Sequence, residues 1–201
     1  MQATNSYMLF SKNMKEEFMQ GKVIIIAGNK RAGKTTLTQM LHQRYNYNYY
    51  NFDMLLDSLE TTFKVLQDKN DDKYVALLNE MVKRSLDDAK NYGVNTIYEY
   101  IFTPEQLSHF KYKNEVRIVF LANLDATQDN IRKDMKKYSK SFDWAAYVSK
   151  DDIERNVKEI LNTNEKLKNE CVKYGFELIN TSRGSNRDKI LDNLAEDINE
   201  K

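Results

Sequence analysis

The feature that most constrains the fold of this chain is the run GNKRAGKT at residues 28–35. It satisfies the pattern G-x-x-x-x-G-K-[ST], in which glycines let successive backbone N–H groups turn inward around a phosphate. An apolar, β-branched run, KVIIIA at residues 22–27, precedes it, and apolar residues at helical spacing follow it up to Tyr45. A strand, a glycine loop and a helix N-terminus in this order predict a loop that binds the phosphates of a nucleotide.

The residue types in this phosphate loop (residues 28–35) predict specific contacts. We expect the Lys34 ammonium group to reach the β- and γ-phosphates of a nucleoside triphosphate, and the Thr35 hydroxyl group to bind Mg²⁺. The other predicted nucleotide-binding residues are the rest of the loop and the helical residue after it: Gly28, Asn29, Lys30, Arg31, Ala32, Gly33 and Thr36.

The composition excludes several classes of protein. Hydrophobic residues make up 41% of the 201 residues, which is too many for a disordered chain. The formal net charge of +1 argues against a protein that coats nucleic acid, and the single cysteine, Cys171, excludes an intramolecular disulfide. No apolar run approaches the roughly 18 residues of a membrane-spanning helix. We therefore expect one cytoplasmic domain over residues 1–201, with a polar N-terminal extension at 1–21 and no membrane partner.

Short segments with the composition of strands alternate with helical segments along the chain. The predicted strands lie at residues 22–27, 47–52, 94–102, 115–122 and 176–180. Apolar runs within them indicate strands buried on both faces, as in a parallel sheet. Three boundaries are also predicted: a helix from Met54, a charged loop at 68–73, and Gly175 as the C-cap of a helix over 150–174. The alternation predicts an α/β fold of three layers, with helices on both sides of the sheet.

This order of elements, with the phosphate loop after the first strand, resembles the P-loop kinase superfamily, the group of adenylate kinase, shikimate kinase and other small-molecule kinases. The resemblance covers residues 22–200 and includes a basic segment after the fourth strand and the run Asn180-Thr181-Ser182 before the last helix. It implies a five-stranded parallel sheet in the order 2-3-1-4-5 and ATP as the nucleotide. It also implies a helical lid over the phosphates, at residues 125–150.

The resemblance gives a role to Asp53, which follows the second strand in the run NFDMLLD. In family members that phosphorylate a hydroxyl group, an acid at the matching position contacts that hydroxyl and can accept its proton. The alternative is that Asp53 only caps the next helix, because aspartate is a favoured N-cap residue.

Glu99 is a charged residue in an otherwise apolar strand, and burying it without a partner would be costly. The family commonly has an acid at the end of this strand near the magnesium ion, so Glu99 is a candidate metal or acceptor-site residue. The alternative is an outward-facing strand end. Adenylate kinase-type enzymes follow this acid with a Gly-x-Pro-Arg-like stretch, whereas residues 100–104 read YIFTP. The missing arginine argues against a nucleoside monophosphate acceptor of that type.

Residues 131–140 (IRKDMKKYSK) carry five basic residues and one acid. They match the lid of the family, in which Arg132 is the candidate for stabilising charge on the transferred phosphoryl group. Arg183 follows the last strand, where the family binds adenine, and its guanidinium group could stack on the base. Simple solvation is the alternative for both arginines.

The sequence thus predicts an ATP- and Mg²⁺-dependent kinase that acts on a small-molecule hydroxyl or a nucleotide. Two alternatives remain open, a nucleotide-binding regulatory ATPase module and a polynucleotide end kinase. Nucleic acid is disfavoured because the basic segment lacks interleaved aromatic residues. The oligomeric state is not predicted. The predicted site consists of the catalytic residues Lys34, Asp53 and Arg132, the metal-binding residues Thr35 and Glu99, and the nucleotide-binding residues of the loop with Arg183.

Overall fold

The apolar run before the phosphate loop forms the central strand of a five-stranded parallel sheet. The structure is a computed structural model that describes residues 20–63, 71–138, 149–183 and 186–201. The strands are β1 (Val23–Gly28), β2 (Asn48–Asn51), β3 (Thr96–Glu99), β4 (Arg117–Ala122) and β5 (Glu177–Asn180). Their order in the sheet is β2-β3-β1-β4-β5, and every neighbouring pair is parallel. The strand order implied by the family resemblance is confirmed.

Helices cover both faces of this sheet. Within the described residues there are seven: α1 (Lys34–Tyr45), α2 (Phe52–Thr62), α3 (Asp71–Tyr92), α4 (Pro104–Ser108), α5 (Gln128–Tyr138), α6 (Lys150–Tyr174) and α7 (Arg187–Glu200). None of them is both long enough and apolar enough to cross a membrane.

Successive side chains of β1 point to opposite faces of the sheet, as the two-residue period of a strand requires. Ile24 and Ile26 belong to the apolar cluster that includes residues of α1 and α7. Val23, Ile25 and Ala27 belong to the cluster that includes residues of α2, α3, α4 and α6. All six residues of β1 are buried, so an apolar side chain is needed on each face. The predicted three-layer α/β architecture is confirmed.

One predicted element boundary agrees with the structure, and others differ by a few residues. Gly175 ends α6 in the left-handed conformation, as predicted. The helix expected from Met54 begins two residues earlier, at Phe52. Asp71 already lies in α3, so the loop predicted at 68–73 is shorter at its C-terminal end. The last strand residue of β3 is Glu99, after which the chain turns towards the capped N-terminus of α4.

Parts of two predicted segments lie outside the described residues. The N-terminal extension at 1–21 is described only at residues 20 and 21, and the lid segment at 125–150 is described except for residues 139–148. Residues 64–70 and 184–185 also lie outside the described ranges.

The chain passes from β1 into the phosphate loop at Gly28, and this position accepts no side chain. Its backbone φ is +117°, a conformation that residues with a Cβ atom rarely adopt. A Cβ atom built there would lie 2.2 Å from the carbonyl oxygen and 2.6 Å from the nitrogen of Leu121 in β4. Glycine therefore allows β1 and β4 to stay paired up to the start of the loop.

We expect Gly28→Ala to lower the free energy of unfolding by about 3–5 kcal/mol, because backbone strain and the clash with β4 add. Gly175→Ala is the matched control. Its φ is +73°, but a Cβ atom would meet nothing within 4 Å, so only a strain of about 1–2 kcal/mol is expected. Urea unfolding of both variants measures the difference, and equal losses would contradict the close approach at Leu121.

Candidate active site

Three neighbouring strands end beside the phosphate loop. The register pairs Ile26 of β1 with Glu99 of β3, and Glu99 with Asn51 of β2. Because parallel strands end at the same edge of a sheet, the segments that follow them meet there. The phosphate loop, Glu99 and the first turn of α2 with Asp53 are therefore brought together.

The phosphate loop holds Lys34 in a buried position. Its side chain is 7% exposed, and its Nζ donates hydrogen bonds to the carbonyl oxygens of Gly28 (3.2 Å) and Asn29 (2.9 Å). Burial lowers the pKa of Lys34, while the nearby negative charges of Glu99 and Asp53 oppose that shift. Gly33 is the N-cap of α1 and makes no side-chain cap, so no capping side chain occupies the first N–H groups of this helix. Such a helix start favours anions.

Asn29 fastens the loop to α6 instead of pointing its side chain at a ligand. Its amide nitrogen donates to the carbonyl oxygen of Ile160 and to Oδ1 of Asn164, both at 2.7 Å. Its own Oδ1 accepts a hydrogen bond from the backbone N–H of Lys30. Asn29 is 3% exposed, so any contact of this residue with a nucleotide would be made by its backbone.

The carbonyl groups of the loop are also held from the side of β4 and β5. The Asn123 amide donates to the carbonyl oxygen of Arg31 (3.2 Å), and the Thr181 hydroxyl donates to that of Ala32 (2.7 Å). Arg187 donates in turn to the Thr181 carbonyl oxygen and to Oδ1 of Asn123. Burial lowers the pKa of Arg187 to about 10, and its side chain stays a cation at neutral pH.

Glu99 is buried, with 5% of its surface exposed, so the alternative of an outward-facing strand end is wrong. Its carboxylate accepts hydrogen bonds from the hydroxyl groups of Thr35 at 2.8 Å and Tyr49 at 2.6 Å. The Thr38 hydroxyl lies 3.4 Å from the carboxylate and closer to the Thr35 carbonyl oxygen. Desolvation, followed by the hydrogen bond to Glu99, raises the pKa of Tyr49, which therefore remains a donor. Together with the charge of Lys34, these donors compensate for the burial of the carboxylate.

Asp53 is not the N-cap of α2, and that alternative is wrong. The cap is Asn51, whose Oδ1 accepts a hydrogen bond from the N–H of Met54 at 2.9 Å. Asp53 lies in the first turn and is exposed to solvent, yet the surrounding protein partly desolvates it and this raises its pKa. The charge of Lys34 lowers the same pKa. Asp53 is thus an accessible carboxylate within electrostatic reach of the phosphate-binding lysine.

The predicted lid arginine is held by acids. Arg132 forms a two-pronged contact with Glu154 of α6, at 2.5 and 2.7 Å, and pairs with Asp129 one turn earlier in α5. Two other arginines contact the same helix, α5. Arg31 lies in the loop and donates to backbone carbonyl oxygens of α5, and Arg183 pairs with Asp134 of the same helix at 2.6 Å.

The remaining predicted nucleotide contacts lie on the same side of the molecule. Lys30 of the loop pairs with Glu159 of α6 at 2.8 Å. Thr36 is exposed in the first turn of α1, directly after Thr35. Arg183 follows β5 and, through Asp134, contacts the helix that also receives the Arg31 side chain. These contacts join the phosphate loop and Arg183 to the same helix, α5.

The residues present fit a magnesium ion that is bound together with a nucleotide. In the described parts of the chain, no group of three His, Cys, Asp or Glu side chains could hold a metal ion alone. Mg²⁺ bound to phosphates needs few protein ligands, because phosphate oxygens and water fill most positions. The Thr35 hydroxyl donates its proton to Glu99, which leaves its lone pairs for a cation. Glu99 lies directly behind it and can bind a metal-bound water.

Several residues of the site escaped the sequence analysis. Thr38 could have been found because it lies one helical turn after Thr35. Tyr49 shares a face with Glu99 only through the pairing of β2 with β3, which the sequence does not reveal. Asn123 and Asn164 are joined by hydrogen bonds across 41 residues, and no sequence signal connects them.

The amide of Asn164 offers a test of the loop anchor. It accepts from Asn29 and from the backbone of Asn123, and it donates to the Asn123 carbonyl oxygen at 2.7 Å. We expect Asn164→Leu to cost about 3 kcal/mol of unfolding free energy and to weaken nucleotide binding, because buried polar groups lose their partners. Asn156→Leu is the control, since Asn156 donates only within α6, and it should cost less than about 1 kcal/mol. Denaturant unfolding and nucleotide titration of both variants measure these effects. Equal effects in the two variants would show that Asn164 does not anchor the phosphate loop.

Comparisons with known proteins place this geometry in a known fold. No protein-family model and no curated protein matches the sequence. Among solved structures, shikimate kinase from Acinetobacter baumannii in complex with shikimate is similar at a TM-score of 0.52 and 14% identity, over 93% of this chain and 98% of that chain. A deoxyadenosine kinase from M. mycoides with products bound is also similar, at a TM-score of 0.47 and 14% identity, over 89% and 100% of the two chains. The first likeness, with the strand order, shows that this chain has the fold of the P-loop kinases.

Proposed function

We propose that this protein is an ATP- and Mg²⁺-dependent kinase that phosphorylates a hydroxyl group of a small molecule. One observation carries the proposal: the loop that buries Lys34 also presents Thr35, whose hydroxyl donates to Glu99 at 2.8 Å, and Asp53 follows the strand that pairs with Glu99. The phosphate-binding cation, a carboxylate that fits a metal site and an accessible carboxylate therefore meet at one edge of the sheet. The similar solved structure named a shikimate kinase supports a small-molecule acceptor.

The three groups divide the reaction between them. Lys34 and the backbone N–H groups at the start of α1 bind the β- and γ-phosphates. Thr35, with Glu99 behind it, would hold Mg²⁺, which when bound would supply positive charge to the phosphate oxygens. Asp53 orients the acceptor hydroxyl and accepts its proton as the hydroxyl oxygen bonds to the γ-phosphorus. The bond from that phosphorus to the bridging oxygen breaks, and ADP leaves.

Arg132 remains part of the proposal as a lid residue. Its guanidinium group would have to exchange Glu154 and Asp129 for the transferred phosphoryl group. Arg183 is proposed to contact the adenine of the nucleotide. It pairs with Asp134, whose carbonyl oxygen also accepts a hydrogen bond from Arg31 of the phosphate loop. A hydroxyl acceptor is favoured over a nucleoside monophosphate, because residues 100–104 after Glu99 contain no arginine.

The binding and transfer roles separate in two variants. Lys34→Ala should abolish ATP binding, because the buried cation at the phosphates is lost. Asp53→Asn should keep ATP binding and lower kcat by about 10²–10⁴-fold, because the proton acceptor is lost. Asp57→Asn, one helical turn further along α2, is the control and should keep both. Nucleotide titration and a screen of ATP consumption with nucleosides, nucleotides and hydroxyl metabolites measure these effects.

Other results of the screen, the nucleotide titration or an oligonucleotide-binding measurement would favour the alternatives. ATP binding without transfer to any acceptor points to a regulatory module. A steep salt dependence of oligonucleotide affinity points to a polynucleotide end kinase. Unchanged ATP affinity in Lys34→Ala contradicts the phosphate-loop assignment.

The pH dependence tests Asp53 as the proton acceptor. The ionised carboxylate is the active form, and desolvation raises its pKa, so kcat should fall with decreasing pH at a pH above the ordinary value of 3.8. Lys30→Gln removes a cation that lowers this pKa, and it should move the fall in kcat to higher pH. Rate profiles at saturating ATP provide the measurement. A profile that stays flat, or an unmoved profile in Lys30→Gln, would speak against Asp53.

A further inference from the structure

Among the described residues, Tyr49 makes the shortest hydrogen bond to the buried carboxylate of Glu99. Its hydroxyl lies 2.6 Å from Oε2, whereas the Thr35 hydroxyl lies 2.8 Å from Oε1. Tyr49 pairs in register with Ile97, two residues before Glu99 on β3. Alternate residues of a strand share a face, so the tyrosine side chain reaches diagonally along the sheet to Glu99.

Thr38 cannot take over this role. Its hydroxyl lies 3.4 Å from Oε2 of Glu99, but it also lies 2.9 Å from the carbonyl oxygen of Thr35. A hydroxyl group has one proton to donate, and the shorter contact is to the carbonyl oxygen. Among the described residues, the Oε2 atom therefore depends on Tyr49 for a strong hydrogen bond.

The orientation of Glu99 determines where the Thr35 hydroxyl points its lone pairs. While Oε1 accepts the Thr35 proton, the lone pairs of that hydroxyl are directed away from Glu99. If Oε2 lost its donor, the carboxylate could rotate and release this constraint. Hydrogen-bonding partners of metal-binding groups act in this way, by fixing the direction of the ligand.

We propose that Tyr49 is a positioning residue, which holds Glu99 so that the Thr35 hydroxyl is oriented for the Mg²⁺ that accompanies the nucleotide. The inference rests on the metal site of the proposed function but not on the identity of the acceptor. It assigns a role to β2, an edge strand of the sheet that contributes no residue to the phosphate loop.

The test measures nucleotide binding and needs no turnover. A non-hydrolysable ATP analogue is titrated calorimetrically in EDTA and again with Mg²⁺, and the ratio of the two Kd values gives the tightening due to the metal. We expect Tyr49→Phe to leave the Kd in EDTA unchanged and to reduce this tightening by about 10-fold. Tyr50→Phe is the matched control. Tyr50 is the next residue of β2 and stacks on Tyr98 instead of contacting Glu99, so it should keep both values.

Full tightening by Mg²⁺ in Tyr49→Phe would overturn the proposal. A weaker Kd in EDTA with unchanged tightening would also overturn it, because it would indicate general damage to the loop. Absence of any Mg²⁺ effect in the unmodified protein would equally overturn it. A protein that shows the expected Mg²⁺ effects but phosphorylates no acceptor supports the role of Tyr49 and contradicts the kinase function.

A double-mutant cycle establishes whether Tyr49 acts through Glu99. Glu99→Gln alone should reduce the tightening by Mg²⁺, and adding Tyr49→Phe should then change it no further. Independent, additive losses in the double variant would show that Tyr49 acts on the metal by another route, and would refute the positioning role.

Discussion

The site depends on hydrogen bonds that the carbonyl groups of the phosphate loop accept from other parts of the chain. Asn123, after β4, and Thr181, after β5, donate to the carbonyl oxygens of Arg31 and Ala32. A peptide group whose carbonyl oxygen is held from behind presents its N–H on the opposite side. The anion-binding shape of the loop is therefore set by distant segments, and the glycines only permit it. The loop therefore depends on the placement of β4 and β5 beside β1.

The two sides of the site carry opposite charges. The phosphate loop contributes Lys34 and Lys30, whereas α2 carries acids on its first turns and no basic residue over Phe52–Thr62. Lys34 is buried, and the two carboxylates near it partly offset the cost of its desolvation. In the proposed reaction, negative phosphate groups would lie on the loop side of this arrangement, and the hydroxyl group that loses a proton would lie on the α2 side. The fold alone would allow many reactions, and this difference in charge is the reason for proposing transfer from the loop towards α2.

The sequence predicted those features that short-range patterns determine. The glycine and lysine spacing identified the phosphate loop, and the apolar run of β1 identified a strand buried on both faces. The sequence leaves Asp53 with two interpretations, an acceptor-site acid or the cap of α2, because aspartate is a favoured cap residue. The structure excludes the cap, because Oδ1 of Asn51 accepts the hydrogen bond from the N–H of Met54. Tyr49 was missed because its contact depends on the register of two strands whose paired residues lie 48 positions apart in the sequence, and a one-residue shift would reverse the face. Periodicity within one segment carries no information about such a register.

The contacts of Arg132 lie at the protein surface, whereas those of Asn29 and Glu99 are buried. The arginine is predicted to stabilise the transferred phosphoryl group, but its guanidinium group contacts Glu154 and Asp129 at the surface. Ion pairs in water are weak and exchange partners readily, because solvent screens their charges and the side chains regain freedom when they separate. A phosphoryl group carries more negative charge than a carboxylate and binds a guanidinium group through two oxygens. Arg132 makes two contacts with Glu154 and one with Asp129, so a phosphoryl group would have to replace all three. The buried contacts of Asn29 and Glu99, in contrast, fix the positions of the phosphate loop and of the carboxylate. Arg132 would therefore have to move towards them, and not they towards Arg132.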